Sequence, residues 1–464
     1  MRRLPNILIC VLLFAAGTAG AQVAGASSMV RVPTLNVKER ILPNGLRLLS
    51  VEDHSSPTVA IQAWYKVGSK DDPEGRSGFA HLFEHMMFKS TKNMKDEMMD
   101  RLTEDVGGYN NASTADDYTH YFEVVPSNYL QTLLWAEAER LSSLNVSETN
   151  FKSERDVVKE EFRQRVLAPP YGKLFYLIEQ KSFSVHPYRH PGIGSIEDLE
   201  AATLQDVRAF HAAFYRPDNV TLVVVGDFVQ NDLDTWVDKY FAPIAKPDCT
   251  VPRVTAREPA RTAEKRFEEY GPNVPLPAVA MTFLVPPAAD RQAAALRVAE
   301  TILSSGESSR LYQALVYRSQ VAQEAFATAD LREDAGLFVV GAILASGRKV
   351  TEAEDALQQE IRKLQEVQIE DAELQRAKNQ IVTGELRERE SSNGKAHAVG
   401  HAAVLLGDPA LVNGEIDRLQ KVTAADVQEV MRGYFAATNR TVIHYLPEPA
   451  RKGPGSPGNG RESR

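Results

Sequence analysis

The chain has 464 residues, 43% of them hydrophobic and 25% charged, with 28 glycines and 25 prolines that form no repeat. This is a globular composition with material for more than one core, and it excludes collagen-like and wholly disordered chains. Lys+Arg 53 against Asp+Glu 62 gives a formal charge of −9, which argues against nucleic acid as a partner, because phosphate binding needs a basic surface.

At the N-terminus, Arg2 and Arg3 precede an apolar run from Ile7 to Ala16, and Ala19-Gly20-Ala21 places small residues where a signal peptidase cuts. Residues 1–21 are therefore predicted to be a secretory signal that delivers the chain to the periplasm, with an uncleaved anchor as the alternative. No later stretch has the ~18 consecutive apolar residues of a spanning helix, so no transmembrane span is expected after cleavage. Cys10 would leave with the signal. Cys249 then stands alone, no internal disulfide can form, and stability must come from packing.

From Val37 onward strand-like and helix-like segments alternate. Leu46–Val51 and Thr58–Val67 read as strands, the first preceded by the turn Pro43-Asn44-Gly45. Helical patterns follow at Ser77–Phe88, Lys95–Val106, Asn128–Leu141 and Asn150–Arg165, the last stopped by Pro169-Pro170. Thr203 is an N-cap with Asp206 three residues on, opening a helix over Leu204–Tyr215, and Asn219–Gly226 is a buried strand. Residues 243–263 hold prolines and unpatterned charges, the composition of a linker. Beyond them the order recurs, with a strand at Ala278–Val285, helices at Arg291–Leu303 and Ser309–Gln320, strands at Ala325–Ala329 and Gly336–Ala345, and then long helices. Closing segments Ala424–Phe435 and Thr441–Tyr445 repeat Leu204–Tyr215 and Thr221–Val225. The expected fold class is α+β: two similar domains, 37–242 and 264–446, each a mixed β-sheet packed with helices. Residues 447–464, rich in Gly, Pro and basic groups, read as a disordered tail.

The strongest local pattern is His81-Leu82-Phe83-Glu84-His85. At 100° per residue Phe79, Leu82, Phe83, Met86 and Met87 share one arc, while His81, Glu84 and His85 fall opposite, so a chemical face is separated from a core face. Histidines at i and i+4 stand one turn apart and can share one zinc ion, with Glu84 beside them as proton acceptor. A lone histidine pair more often caps or packs, but the acid inside H-x-x-E-H belongs to the inverted zincin order. A catalytic zinc needs a third protein ligand. On the helix Asn150–Arg165 the acids Glu154 and Glu161 lie on the arc of Phe151, Val157, Val158 and Phe162, whereas Glu160 points away. A carboxylate on a buried face needs a partner. Glu161 is assigned as the ligand, and Glu154 is grouped with Glu84 as the residue that orients a histidine or a water. Ion pairs of these acids with Arg155 or Arg165 are the competing explanation. His397 and His401 also stand at i and i+4, but no acid separates them, so a packed helix surface is expected there. His120 is read as a structural or pocket residue.

The run from His81 to Thr91, together with Glu154-Arg155-Asp156-Val157-Val158-Lys159-Glu160-Glu161, closely resembles the pitrilysin/insulinase family of zinc metallopeptidases, which includes the mitochondrial processing peptidases. Gly107–Thr114, His186-Pro187-Tyr188 and Tyr215-Arg216-Pro217 extend the resemblance, which covers Val37 to Leu446. It implies one Zn2+ per chain held by His81, His85 and Glu161, Glu84 as general base, and Asn111-Ala112 as the strand segment that pairs with an extended peptide. Active members also use an Arg and a Tyr from the second half. In this chain the corresponding positions hold Val316 and Gln323, with Tyr312, Tyr317 and Arg318 nearby out of register. In the family such losses occur in two-chain enzymes, so the resemblance implies a heterodimer with a related subunit that supplies the Arg/Tyr pair, or a homodimer. The expected function is zinc-dependent endopeptidase action on oligopeptides or unfolded segments. A poorly active peptide-binding scaffold that keeps its zinc is one alternative, and a protease specific for one precursor is another.

Overall fold

The computed structural model describes Val30 and residues 32–449, so the predicted signal and the residues of the tail from position 450 onward lie outside the described residues. Among the described residues the first half contains β1 (Lys38–Ile41), β2 (Arg47–Glu52), β3 (Thr58–Tyr65), α1 (Phe79–Met86), α2 (Met98–Glu104), β4 (Tyr109–Thr114), β5 (Thr119–Pro126), α3 (Leu130–Ser143), α4 (Glu148–Phe162), α5 (Gly172–Ser182), α6 (Ile196–Ala201), α7 (Leu204–Phe214), β6 (Val220–Gly226) and α8 (Gln230–Tyr240). The second contains β7 (Lys265–Gly271), β8 (Ala278–Val285), α9 (Ala293–Ser304), β9 (Ala322–Asp330), β10 (Gly336–Leu344), α10 (Val350–Glu366), α11 (Asp371–Glu388), α12 (Ser392–Val404), α13 (Glu415–Lys421), α14 (Ala424–Tyr434) and β11 (Arg440–Pro447). The chain is α+β, with two mixed sheets, each packed with helices. No helix among the described residues is long and apolar enough to cross a membrane.

The six-stranded sheet runs β1-β2-β6-β3-β5-β4 and the five-stranded sheet runs β7-β11-β8-β10-β9. Without β1 the two orders are the same. β2 pairs with β6 in parallel, as β7 does with β11, and the other pairs are antiparallel in both. Local chemistry repeats with the topology. Thr203 and Asp206 form a capping box at the start of α7, and Thr423 and Asp426 form one at the start of α14. Asn219 donates to the carbonyls of Phe214 and Lys66, and Asn439 donates to those of Tyr434 and Leu284. One ladder row can therefore be matched across the halves. Val220, Tyr65, Thr119 and Thr114 in the first sheet correspond to Arg440, Phe283, Phe338 and Ala329 in the second.

Each sheet buries one face against its own helices, in cores centred on Leu82, Phe83 and Val224 in one half and on Leu296, Leu357 and Val340 in the other. The opposite faces are covered by exchange. Helix α12 of the second half lies on the first sheet, where Ala396, Val399 and Ala403 pack with Leu49, Trp64, Val223 and Val225. Helix α5 of the first half lies on the second sheet, where Leu174, Leu177 and Ile178 pack with Ala278, Ala280, Leu337 and Val339. Each large side chain so buried contributes about 1.5–3 kcal/mol. Polar groups at the α12 contact are satisfied: Trp64 donates to Gln62, which donates to the side chain and carbonyl of Asn393. Gly400 lets α12 approach, because a Cβ there would lie 2.3 Å from the Trp64 ring.

Residues from Pro33 onward accordingly cluster as one compact unit. The stretch 243–263 carries no helix or strand but is tied down on both sides. Arg253 donates to Asn219 and the Lys66 carbonyl, and Arg261 donates to the carbonyls of Ser182, Thr282 and Asn439. The β4–β5 turn also meets its counterpart between β9 and β10. Asp116 pairs with Arg332, and Asp117 pairs with Lys70 and accepts from the Glu333 amide. Two acidic groups there, Asp116/Glu179/Asp330 and Asp117/Glu333/Asp334, gather donor atoms closely. The first contacts Arg332 and the second Lys70, so both are ion clusters.

Candidate metal centre

Helix α1 carries the motif. Asp72 accepts from the amides of Gly78 and Ala80 and so fixes the first turn. Gly78, at φ 90°, makes the entry bend and has no room for a side chain, since the Ile193 carbonyl would be 2.9 Å from its Cβ. Phe79, Leu82, Phe83 and Met86 are buried, as their arc requires, and Phe83 stacks on His211 and packs on Tyr215. That anchoring leaves His81, Glu84 and His85 on the face toward α4 and β4.

Helix α4 delivers the acids. Ser147 caps it, and Phe151, Glu154, Val158 and Phe162 form its buried stripe. His81 Nε2 and His85 Nε2 converge on Glu161 Oε2 at 3.5 and 3.4 Å. Donors 2.0–2.1 Å from a tetrahedral zinc are about 3.4 Å apart along an edge, so both edges from Glu161 Oε2 to the imidazoles have that spacing, and the three donor atoms all lie within 4.8 Å of one another. Two imidazoles and one carboxylate are also the donor chemistry of catalytic zinc sites that keep a fourth position open. The residues present therefore fit the ion.

Glu161 satisfies both explanations weighed from the sequence. Its Oε1 pairs with Arg165 at 2.8 Å, while Oε2 faces the histidines. Glu154 lies behind His85, 3.5 Å from Nδ1, with Lys89 at 2.7 Å on its other oxygen. That is where a carboxylate that orients a metal-ligating imidazole stands. Among the described residues His81 Nδ1 finds no such partner. Burial, with the neighbouring His85, drives His81 down to about 4; His85 is raised to about 9 against its burial, by hydrogen bonds to Glu154 and Glu161. Without metal, a proton thus sits on His85. Burial pushes the Glu84 carboxyl up, opposed by a 2.5 Å hydrogen bond from the Thr114 hydroxyl. A base raised toward neutrality is suited to proton transfer.

Asn111 and Ala112 lie on β4, whose far side pairs with no strand among the described residues. Asn110, Ala112 and Thr114 are half-buried, and Tyr109, Asn111 and Ser113 are exposed. His120 stacks on Trp64 and Phe122 and meets His397, so it belongs to the α12 side of the sheet. His397 and His401 are packed, with Trp64 5.3 Å from the His397 ring. Val316 sits in a π-helical turn, Tyr312–Arg318, against the second core, and Gln323 is exposed on β9. Sequence reasoning missed Lys89 and Thr114. Lys89 is four residues after His85, and Thr114 follows Ala112 by strand alternation, so either spacing could have found them.

The family model described as Insulinase (Peptidase family M16) matches residues 47–186, and that described as Peptidase M16 inactive domain matches residues 201–381. Zinc protease PqqE of Helicobacter pylori is 31% identical over 436 residues, 93% of this chain and 96% of the relative. Probable mitochondrial-processing peptidase subunit beta of Arabidopsis thaliana is 25% identical over 402 residues, 85% of this chain and 75% of its own. The crystal structure of a protease from Helicobacter pylori superposes with a TM-score of 0.86 at 29% identity, covering 89% of this chain and 100% of that one. The periplasmic protease PqqL from Escherichia coli gives 0.72 at 18% identity, with 90% of this chain and 48% of that chain covered.

Proposed function

Because the chain belongs to the insulinase (M16) peptidase family, we propose that it is a zinc-dependent endopeptidase of the periplasm acting on oligopeptides or unfolded segments, and that it works as the zinc-bearing subunit of a two-chain enzyme. The observation that carries this reading is the convergence of two imidazole nitrogens on one carboxylate oxygen at 3.5 and 3.4 Å, with Glu84 beside them. His81, His85 and Glu161 would hold the ion. Zinc, when bound, supplies Lewis acidity toward a water and the scissile carbonyl.

Glu84 accepts the proton of the attacking water as its oxygen bonds the carbonyl carbon, and returns it to the amine as the C–N bond breaks. Asn111 and Ala112, on the open edge of β4, take the peptide as an added strand, which selects extended chains. Glu154 orients His85. The periplasm rests on the reading of residues 1–21. Val316 and Gln323, where active relatives carry Arg and Tyr, support the need for a related subunit. They also favour a second reading, a peptide-binding subunit that keeps zinc and turns over slowly, since loss of electrophilic help costs a few kcal/mol in the transition state.

The test measures zinc content and cleavage of a mixed peptide pool by the purified chain, alone and co-expressed with a related subunit carrying the Arg/Tyr pair. One zinc per chain and cleavage that needs the second subunit is the expected result, and Glu84→Gln should abolish turnover, by about 10³-fold or more, with zinc retained. Zinc without cleavage in either preparation would leave the slow scaffold reading. High activity of the chain alone would remove the two-chain arrangement.

A further inference from the structure

We propose that Thr114 is a positioning residue for the general base: its hydroxyl holds one oxygen of Glu84 so that the other is presented to the water. The inference rests on the peptidase reading above. Thr114 Oγ1 lies 2.5 Å from Glu84 Oε2. The neighbouring Thr119 hydroxyl is 2.9 Å from the Val67 carbonyl and only 3.4 Å from Thr114 Oγ1. Thr119 therefore spends its proton on Val67, and Thr114 is the hydroxyl that donates to the carboxylate.

A glutamate carboxyl turns in a broad, two-fold well about its last torsion. A donor on one oxygen removes that freedom, and threonine, β-branched and stiff at χ1, supplies a donor of fixed direction. The strand end that bears it is anchored as well. Two residues on, Asp116 accepts from Ser69 at 2.6 Å and pairs with Arg332 at 3.1 Å, and Asp117 pairs with Lys70 at 2.8 Å.

The second half is an internal control. Glu300 on α9 stands to β9 as Glu84 on α1 stands to β4, and its carboxylate is met by the backbone of Ala329, the ladder equivalent of Thr114. Arg297, three residues before Glu300, occupies the position of His81 and pairs with Glu385 of α11. The hydroxyl and the histidines thus occur together, in one half only. Thr114 also closes the edge strand proposed to take the peptide, so it joins the strand that holds the substrate to the group that moves the proton.

The experiment uses whichever preparation cleaves, the chain alone or with its related subunit. Thr114→Val should lower kcat about 10- to 100-fold, with KM within about twofold and zinc content unchanged, and Thr114→Ser should restore most of kcat. In metal-free protein, Thr114→Val should lower Tm more in the unsubstituted background than in Glu84→Ala, the mark of a direct interaction. Full kcat in Thr114→Val, equal loss in Thr114→Ser, or a rise in KM at constant kcat would each overturn the assignment while leaving the peptidase reading in place. Absence of cleavage by the unsubstituted chain both alone and with its related subunit would remove both.

Discussion

Five strands and a matching series of helices occur twice among the described residues, and the two copies differ where α1 and α9 face their partner helices. In the first, His81 and His85 meet Glu161 of α4; in the second, Arg297 meets Glu385 of α11. Both are cations or proton acceptors facing an acid on the partner helix, so the same backbone places a set with metal-donor chemistry in one half and an ion pair in the other. The fold supplies positions, and side-chain identity decides whether they do chemistry. The family model described as an inactive domain matches residues 201–381, which include α9 and Arg297, in agreement with this contrast.

Substitutions at matched positions test the contrast most strongly. Glu161→Gln should weaken zinc binding about 10³-fold or more, because a neutral amide replaces the anionic ligand. Arg297→Met, at the matched position, should leave zinc content unchanged and lower stability by about 2–3 kcal/mol, below the full range for a broken buried pair because its side chain keeps 30% of its surface exposed. Zinc titration and urea unfolding of both variants decide this, and zinc loss in Arg297→Met would break the proposed division of labour.

The two exchanged helices offer a second contrast. Gly400→Ala should cost about 1–3 kcal/mol despite alanine's better helix propensity, because its Cβ enters the Trp64 ring. Loss of hydrogen-exchange protection should appear in α12 and not in α5. Smaller still is the pH effect. Burial holds His120 at about 3 and His401 at about 4, against 6.5 for exposed histidine. The unfolded chain takes up protons below pH 6.5 that the folded chain refuses, so stability falls as pH drops from 6.5 toward 4, by on the order of 1–2 kcal/mol per group at pH 5. His120 lies on the side of the first sheet that α12 covers, and His401 stands on α12 itself. The α5 contact joins Leu174, Leu177 and Ile178 to Glu179, whose carboxyl burial pushes up, so a fall in pH favours the folded state there and α5 should not loosen. Native-state exchange at pH 7 and pH 5 reads the difference, and equal loosening of the two helices would refute it.

Local signals made much of this legible. The H-x-x-E-H spacing and the stripe of α4 named the residues that the structure brings together, since helical periodicity fixes faces without knowledge of the fold. Ala278–Val285 emerged with its bounds intact because a run that is apolar but for Thr282, set between Pro277 and Pro286, has few other uses. Strand β7, exposed on alternate residues and rich in charge, passed unnoticed, as did β1 at the sheet edge. The helices α5 and α12 carry apolar faces, but periodicity says only that a face is buried, not which sheet buries it. Their exchange, and the hydrogen bond from Thr114 to Glu84, are long-range facts.

Synthesis proceeds from the N-terminus, and the exchange makes the two halves unequal in time. Helix α5 exists well before the sheet it covers, a single helix waiting with one apolar stripe. The first sheet is complete at Gly226, but α12 begins at Ser392, roughly 165 residues later, or about 8–33 s at 5–20 residues per second. Through that interval Leu49, Trp64, Val223 and Val225 present a bare apolar sheet face. Truncation between Gly226 and Ser392 should therefore yield an aggregating product, and a holding chaperone would find its binding surface on the half that carries the histidines.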